Sequence, residues 1–154
     1  KNLKASNDIQ IRGTEGLVVS YAKCCYPIPG DPILGYISQE KGIVVHRQSC
    51  RSINHMKKQS DETLDLSWAE NVNDMFSVSI KVEVDNVRGV LAKISSQIAQ
   101  NDSNIESVTY DDTKETGHNI MIFVITISDI KELNKLIRKL KKNPNILSVE
   151  RKKS

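Results

Sequence analysis

Four side chains hold most of the chemistry this sequence offers: Cys24, Cys25, His46 and Cys50. Three thiols and an imidazole form a donor set for zinc, which takes four N or S ligands in a tetrahedron. The same groups allow other readings. Cys24 or Cys25 can pair with Cys50 as a redox switch. Cys25 can serve as a nucleophile with His46 as its base. The thiols can also stay reduced and pack as small apolar groups. Spacing leaves these readings open. His46 and Cys50 stand at i, i+4 and share a face if a helix starts there. Adjacent Cys24 and Cys25 point to opposite faces of an extended strand, so both reach one ion only from a kinked loop. The C-x-x-C spacing of a zinc ribbon is missing. A thiol enzyme needs a third group to orient the base. Asp31 is the nearest candidate, but it sits between Gly30 and Pro32, where a turn role is expected. His55 and His118 stand alone in polar surroundings and read as surface residues.

The elements that position these groups follow from local rules. Residues 21–33 hold two cysteines, three prolines and a glycine. Each proline fixes φ and removes a donor, and each residue before a proline is pushed toward extended geometry. The segment is therefore a rigid extended loop that holds two thiols. Leu17–Tyr21, Leu34–Ile37 and Ile43–His46 read as short strands, with a turn at Gln39–Gly42. Ser49 can cap a short helix from Cys50 to about Lys57. Leu64–Trp68 alternates and reads as a fourth strand. This is an α+β unit too small for a generous core, and a thiol cluster or a metal would help hold it.

The second half has a clearer rhythm. Phe76, Val78, Ile80, Val82 and Val84 alternate with polar residues, the period of a half-buried strand. Residues 86–89 form a loop, and Leu91, Ile94 and Ile98 then recur at helical spacing, giving a helix over Val90–Gln100. Asn104–Tyr110 is a strand, Asp111–Gly117 a polar hairpin loop, and Asn119–Ile127 a strand apolar on both faces. Ser128 or Asp129 caps a helix with the stripe Ile130, Leu133, Leu136, Ile137 and Leu140. Pro144 ends it, and Ile146–Glu150 is the last strand. The order βαββαβ is the split βαβ arrangement of ferredoxin-like folds. Right-handed crossovers put both helices on one sheet face. Apolar residues on the other face call for a second layer, from another copy or from further chain.

Charge is uneven. The chain carries 22 basic and 19 acidic residues, a net of +3. Residues 131–154 alone carry nine basic against two acidic side chains, a net of +7. Lys135, Arg138, Lys139, Lys141 and Lys142 within it make an RNA-facing patch or a solvated helix face. An odd cysteine count argues against a disulfide framework and favours a reducing cytoplasm. No apolar run approaches the roughly 18 residues of a membrane span. The chain begins at Lys1 without a signal-peptide pattern, and is expected to be cut from something longer.

Gly13–Ile33 and Lys41–Cys50 resemble the conserved-cysteine module of RelA/SpoT homologues, also called the zinc-finger or ribosome-intersubunit (RIS) domain. The βαββαβ unit, with Asn86-Val87-Arg88-Gly89-Val90-Leu91 at its first loop, resembles the ACT domain of the same family. The wording is most like the gammaproteobacterial SpoT branch. The resemblance implies an α+β chain with residues 1–12 as linker, 13–70 as the cysteine module and 75–153 as the ACT domain. It implies a regulatory, non-catalytic region of a (p)ppGpp synthetase/hydrolase, whose catalytic domains lie N-terminal to it. It also implies partners: those catalytic domains, ribosomal RNA, and a second copy through the ACT sheet. In ACT dimers an amino-acid effector sits at the first loop, here 86–91, facing a partner strand at Asn104 and Ile105. Valine and isoleucine are the effectors implied.

Overall fold

The structure is a computed structural model that describes residues 11–12, 18–38, 42–53, 63–85, 88–111 and 119–153. The chain divides into two compact units, residues 1–74 with 153–154 and residues 75–152.

The first unit contains β1 (Ile11–Arg12), β2 (Val19–Tyr21), β3 (Ile33–Ser38), β4 (Gly42–Arg47), β5 (Thr63–Asp65) and β6 (Ser67–Trp68). Four of these form a sheet in the order β2-β4-β3-β5, in which β2 runs parallel to β4 and the other pairs are antiparallel. β1 pairs with β6 in a separate two-stranded sheet. Gly42 starts β4 at φ 77, and a Cβ there would collide with the Val18 carbonyl oxygen. Only glycine suits both the left-handed backbone and that close approach. Strand alternation then sorts the two sheet faces. Leu34, Tyr36 and Val44 fall on one face and pack with Ala22, Cys25, Cys50 and Ile53. Ile33, Ile43 and Val45 fall on the other, against Val19, Tyr21, Leu64, Leu66 and Trp68. Tyr21 stacks on Trp68 with centroids 6.0 Å apart.

Three expectations change here. The strand expected over Leu64–Trp68 breaks at Leu66, and its halves join different sheets. Ile11–Arg12, read as linker, forms a strand. The condition under which His46 and Cys50 would share a helix face is not met: His46 lies in β4, within the strand expected over Ile43–His46, and helical residues begin only at Arg51. The remainder of the expected helix, residues 54–57, lies outside the described residues, as do His55, His118 and most of the 111–117 loop.

The second unit contains β7 (Phe76–Val84), α1 (Val90–Gln100), β8 (Ile105–Asp111), β9 (Asn119–Ile127), α2 (Ile130–Lys141) and β10 (Ile146–Arg151). The antiparallel sheet runs β10-β7-β9-β8. Opposed residues in antiparallel strands share a face. Val78, Ile80, Val82 and Val84 therefore face the same way as Met121, Phe123 and Ile125. All are fully buried, with Ile94 and Ile98 of α1 and Leu133, Leu136 and Leu140 of α2. In α1 Val90 is buried and Leu91 is half-buried, so the inward stripe starts one residue earlier than the Leu91-Ile94-Ile98 spacing predicts. On the opposite sheet face Ile120 is buried, and Ile122 and Val124 are half-buried. Asp129, not Ser128, caps α2: its side chain accepts a hydrogen bond from Glu132 N at 2.8 Å. Glu132 in the first turn and Arg138, Lys139 and Lys141 in the last complement the helix dipole.

Candidate metal centre

The cysteine loop leaves β2 and folds at once. Ala22 N donates to Val45 O at 2.9 Å, which ties the loop to β4. Tyr26 N then donates back to Ala22 O at 2.9 Å, and Tyr26 takes a left-handed φ of 47. This is the kink that lets Cys24 and Cys25, adjacent in sequence, face one point. Beyond it, Asp31 Oδ2 accepts from Ile28 N at 2.8 Å and closes a turn over the buried Pro27-Ile28-Pro29. β4 brings His46 to the same face as Tyr36, whose ring meets the imidazole edge-on at 5.6 Å. A reversal follows His46. Gln48 N binds Pro32 O at 2.9 Å, and Cys50 N binds Arg47 O at 3.0 Å. That reversal brings Cys50 back beneath the loop.

The four donor atoms lie within 4.8 Å of one another. Cys24 Sγ is 3.5 Å from His46 Nδ1 and 3.5 Å from Cys50 Sγ. Cys25 Sγ is 3.9 Å from His46 Nδ1. A tetrahedral zinc site with ordinary Zn–S and Zn–N bonds has donor–donor edges of about 3.6–3.8 Å. Three separations, 3.5, 3.5 and 3.9 Å, are near that size, while the set as a whole reaches 4.8 Å and would have to contract around an ion. Three sulfurs with one imidazole suit zinc better than a hard cation. Such a Cys₃His set fills all four positions, as structural rather than catalytic sites do.

The thiols are not equivalent. Burial pushes Cys25 up to about 12, although the Arg47 N–H at 3.3 Å from its sulfur works the other way. Burial likewise raises Cys24. Burial would raise Cys50 too, but hydrogen bonds from His46, Cys24, the Ser52 backbone and Cys25 outweigh it and bring Cys50 down to about 6. Cys50 is thus the thiol most readily ionised among the donors, and a metal needs deprotonated ligands. The same pattern weakens the thiol-enzyme reading. Cys25 would be a poor nucleophile, and the Asp31 carboxylate is directed at Ile28 N rather than standing behind His46.

The other expected site residues separate by region. Asn86 and Val87 lie outside the described residues. Arg88 and Gly89 are exposed at the start of α1. Gly89 has φ 81, no side-chain cap serves this helix start, and its first turn holds no acid. Among the described residues, nothing lies within 4 Å of the position a Gly89 Cβ would take. Val90 belongs to the core. Ile105 opens β8, and Asn104 just before it exchanges hydrogen bonds with Thr126 at 3.0 and 2.9 Å. Lys135, Arg138, Lys139, Lys141 and Lys142 are all exposed along α2 and its end. Lys93, Ser96, Gln97 and Gln100, on one face of α1, line a shallow cavity of about 330 Å³ closed by Lys142, Asn143 and Pro144.

A Cys/His cluster on a small mixed sheet, joined in one chain to a βαββαβ sheet, defines a paired cysteine module and ACT domain. The model of the RelA/SpoT RIS domain matches residues 9–69, and that of the ACT domain matches residues 72–151. The chain belongs to the RelA/SpoT family. It is 33% identical over 147 residues to the bifunctional (p)ppGpp synthase/hydrolase SpoT of Escherichia coli K12, covering 95% of this chain and 21% of that protein. It is 30% identical over 145 residues to the GTP pyrophosphokinase of Myxococcus xanthus, covering 93% and 18%. The chain thus spans about a fifth of the length of these curated relatives. Among solved structures, the ACT domain from the GTP pyrophosphokinase of Chlorobium tepidum is similar, with a TM-score of 0.43 and 23% identity over 51% of this chain and all of that one. Among the described residues, no helix is long and apolar enough to cross a membrane.

Proposed function

We propose that this chain is the regulatory region of a cytoplasmic, bifunctional (p)ppGpp synthetase/hydrolase and performs no chemistry itself. The observation that carries this reading is the tandem of RIS and ACT matches, supported by one continuous 147-residue similarity to SpoT. The catalytic domains of the parent are its main partner. Control works by population shift: a ligand that binds one arrangement of the tail better biases the catalytic half by that difference in affinity. Three contacts serve this end. Ribosomal RNA meets Lys135, Arg138, Lys139, Lys141 and Lys142, whose clustered charge suits a phosphate backbone. Valine or isoleucine meets the start of α1 at 86–91, where the open space over Gly89 and an uncapped helix start suit a carboxylate. A second copy meets the ACT sheet. Zinc held by Cys24, Cys25, His46 and Cys50 would supply a structural cross-link.

The test is a chimera in which this chain replaces the matching region of E. coli SpoT. Cellular (p)ppGpp is then followed through amino-acid starvation and recovery. The chimera should regain the control that a truncated SpoT lacks. A chimera that behaves like the truncation would overturn the reading. Within it, charge reversal at Lys139, Lys141 and Lys142 removes the RNA arm, and a bulky residue at Gly89 removes the amino-acid arm.

A further inference from the structure

We propose that the cysteine cluster is also a redox site, in which Cys24 and Cys50 form a disulfide on exposure to a low-molecular-weight disulfide of the glutathione class, while Cys25 stays reduced. The geometry selects this pair. Cys24 Sγ and Cys50 Sγ are already 3.5 Å apart. A disulfide bond is about 2.05 Å long, so closure needs a shift of roughly 1.5 Å, within the reach of side-chain rotation. The two thiols differ in access. Cys24 is exposed, whereas Cys50 is fully buried. A reagent from solvent therefore meets Cys24 first and finds Cys50 directly behind it. Cys25 is buried, and its sulfur accepts the Arg47 N–H at 3.3 Å, which turns it toward β4.

The steps balance. Cys24 Sγ gives its proton to solvent base and attacks one sulfur of oxidised glutathione. A Cys24–glutathione bond forms, and one glutathione leaves as thiolate and takes up a proton. Cys50 Sγ, as the thiolate, attacks Cys24 Sγ. The Cys24–Cys50 bond forms, and the second glutathione leaves as thiolate and takes up a proton from water. Two protein thiols are oxidised by two electrons, and one glutathione disulfide is reduced to two thiols. The product closes the chain between residues 26 positions apart. It also uses two of the four donors, so a metal and this disulfide exclude each other. The proposal does not depend on metal binding, because it concerns the metal-free chain.

The test uses the whole chain, freed of metal by a chelator, reduced, and then placed in oxidised glutathione. Titratable thiols should fall from three to one. Tryptic digestion should give the peptide 24–41 joined to the peptide 48–51. Samples quenched early should show a glutathione adduct that fragmentation places on Cys24. Cys25→Ser should leave the cross-link in place, and Cys24→Ser and Cys50→Ser should each remove it. A stable adduct with two thiols still free would overturn the proposal, as would a cross-link that survives Cys24→Ser and vanishes in Cys25→Ser. If Cys24→Ser fails to fold, the early adduct and the cross-linked peptide of the unaltered chain still decide the matter.

Discussion

The two units of this chain solve the same problem with unequal means. The second buries long alternating strands under two helices, and its core is continuous: Val78, Ile80, Val82, Phe123, Ile125, Ile94, Ile98, Leu133 and Leu136 are all sealed from water. The first divides its apolar residues between two sheet faces. One of those small clusters includes Cys25 and Cys50 themselves. The difference shows where a donor cluster is worth keeping. A unit whose apolar burial is split and thin gains most from a cross-link, and the unit with a deep core has no such cluster among the described residues.

Variants that disturb one unit and spare the other test this contrast. Phe123→Ala should cost the second unit about 3–5 kcal/mol, because it opens a cavity against the fully buried sheet face. Denaturation followed by hydrogen exchange should place the loss within residues 75–152. Zinc should act on the other unit: at a thousandfold excess over its Kd it would raise the stability of the first unit by about 4 kcal/mol. A chelator should reverse that, and exchange protection in β3 and β4 would report it. Equal protection of both units by zinc would break the contrast. Gly42→Ala comes next, at about 2 kcal/mol in the first unit. The substitution forces an L-residue into the left-handed region and drives a Cβ at the Val18 carbonyl. Asp129→Ala should be smallest, at about 1 kcal/mol, since it removes one capping hydrogen bond from α2. Its effect belongs in the thermal midpoint of the second unit.

The same contrast governs what could be read from the sequence. In the second unit the strand at 76–84, the helix at 90–100 and the strand at 119–127 are observed with the bounds that periodicity predicts. Those elements announce themselves locally, because each residue's neighbours two or four positions away share its environment. In the first unit, pairing is set by partners far along the chain. Nothing near Val19–Tyr21 tells that it runs parallel to Ile43–Val45, or that Leu64–Trp68 divides between two sheets. The donor set was legible by residue type, since three thiols and a histidine gather in 27 residues. Its geometry was not. It depends on a left-handed Tyr26, a residue with no special liking for that region, and on the reversal at Gln48 that precedes the helical residues at Arg51.

The register of the outermost strand pair in the second unit has a mechanical meaning. β7 opens the unit and β10 closes it, and they are antiparallel neighbours, with Arg151 beside Ile80 and Lys152 N bound to Ser79 O at 2.9 Å. The chain therefore enters and leaves at the same end of one two-strand ladder. Tension applied through residues 75 and 152 would load those hydrogen bonds one after another, like a zipper, and not all together in shear. Along its own chain the unit is soft, and a small pull would peel β10 away before the helices felt any load.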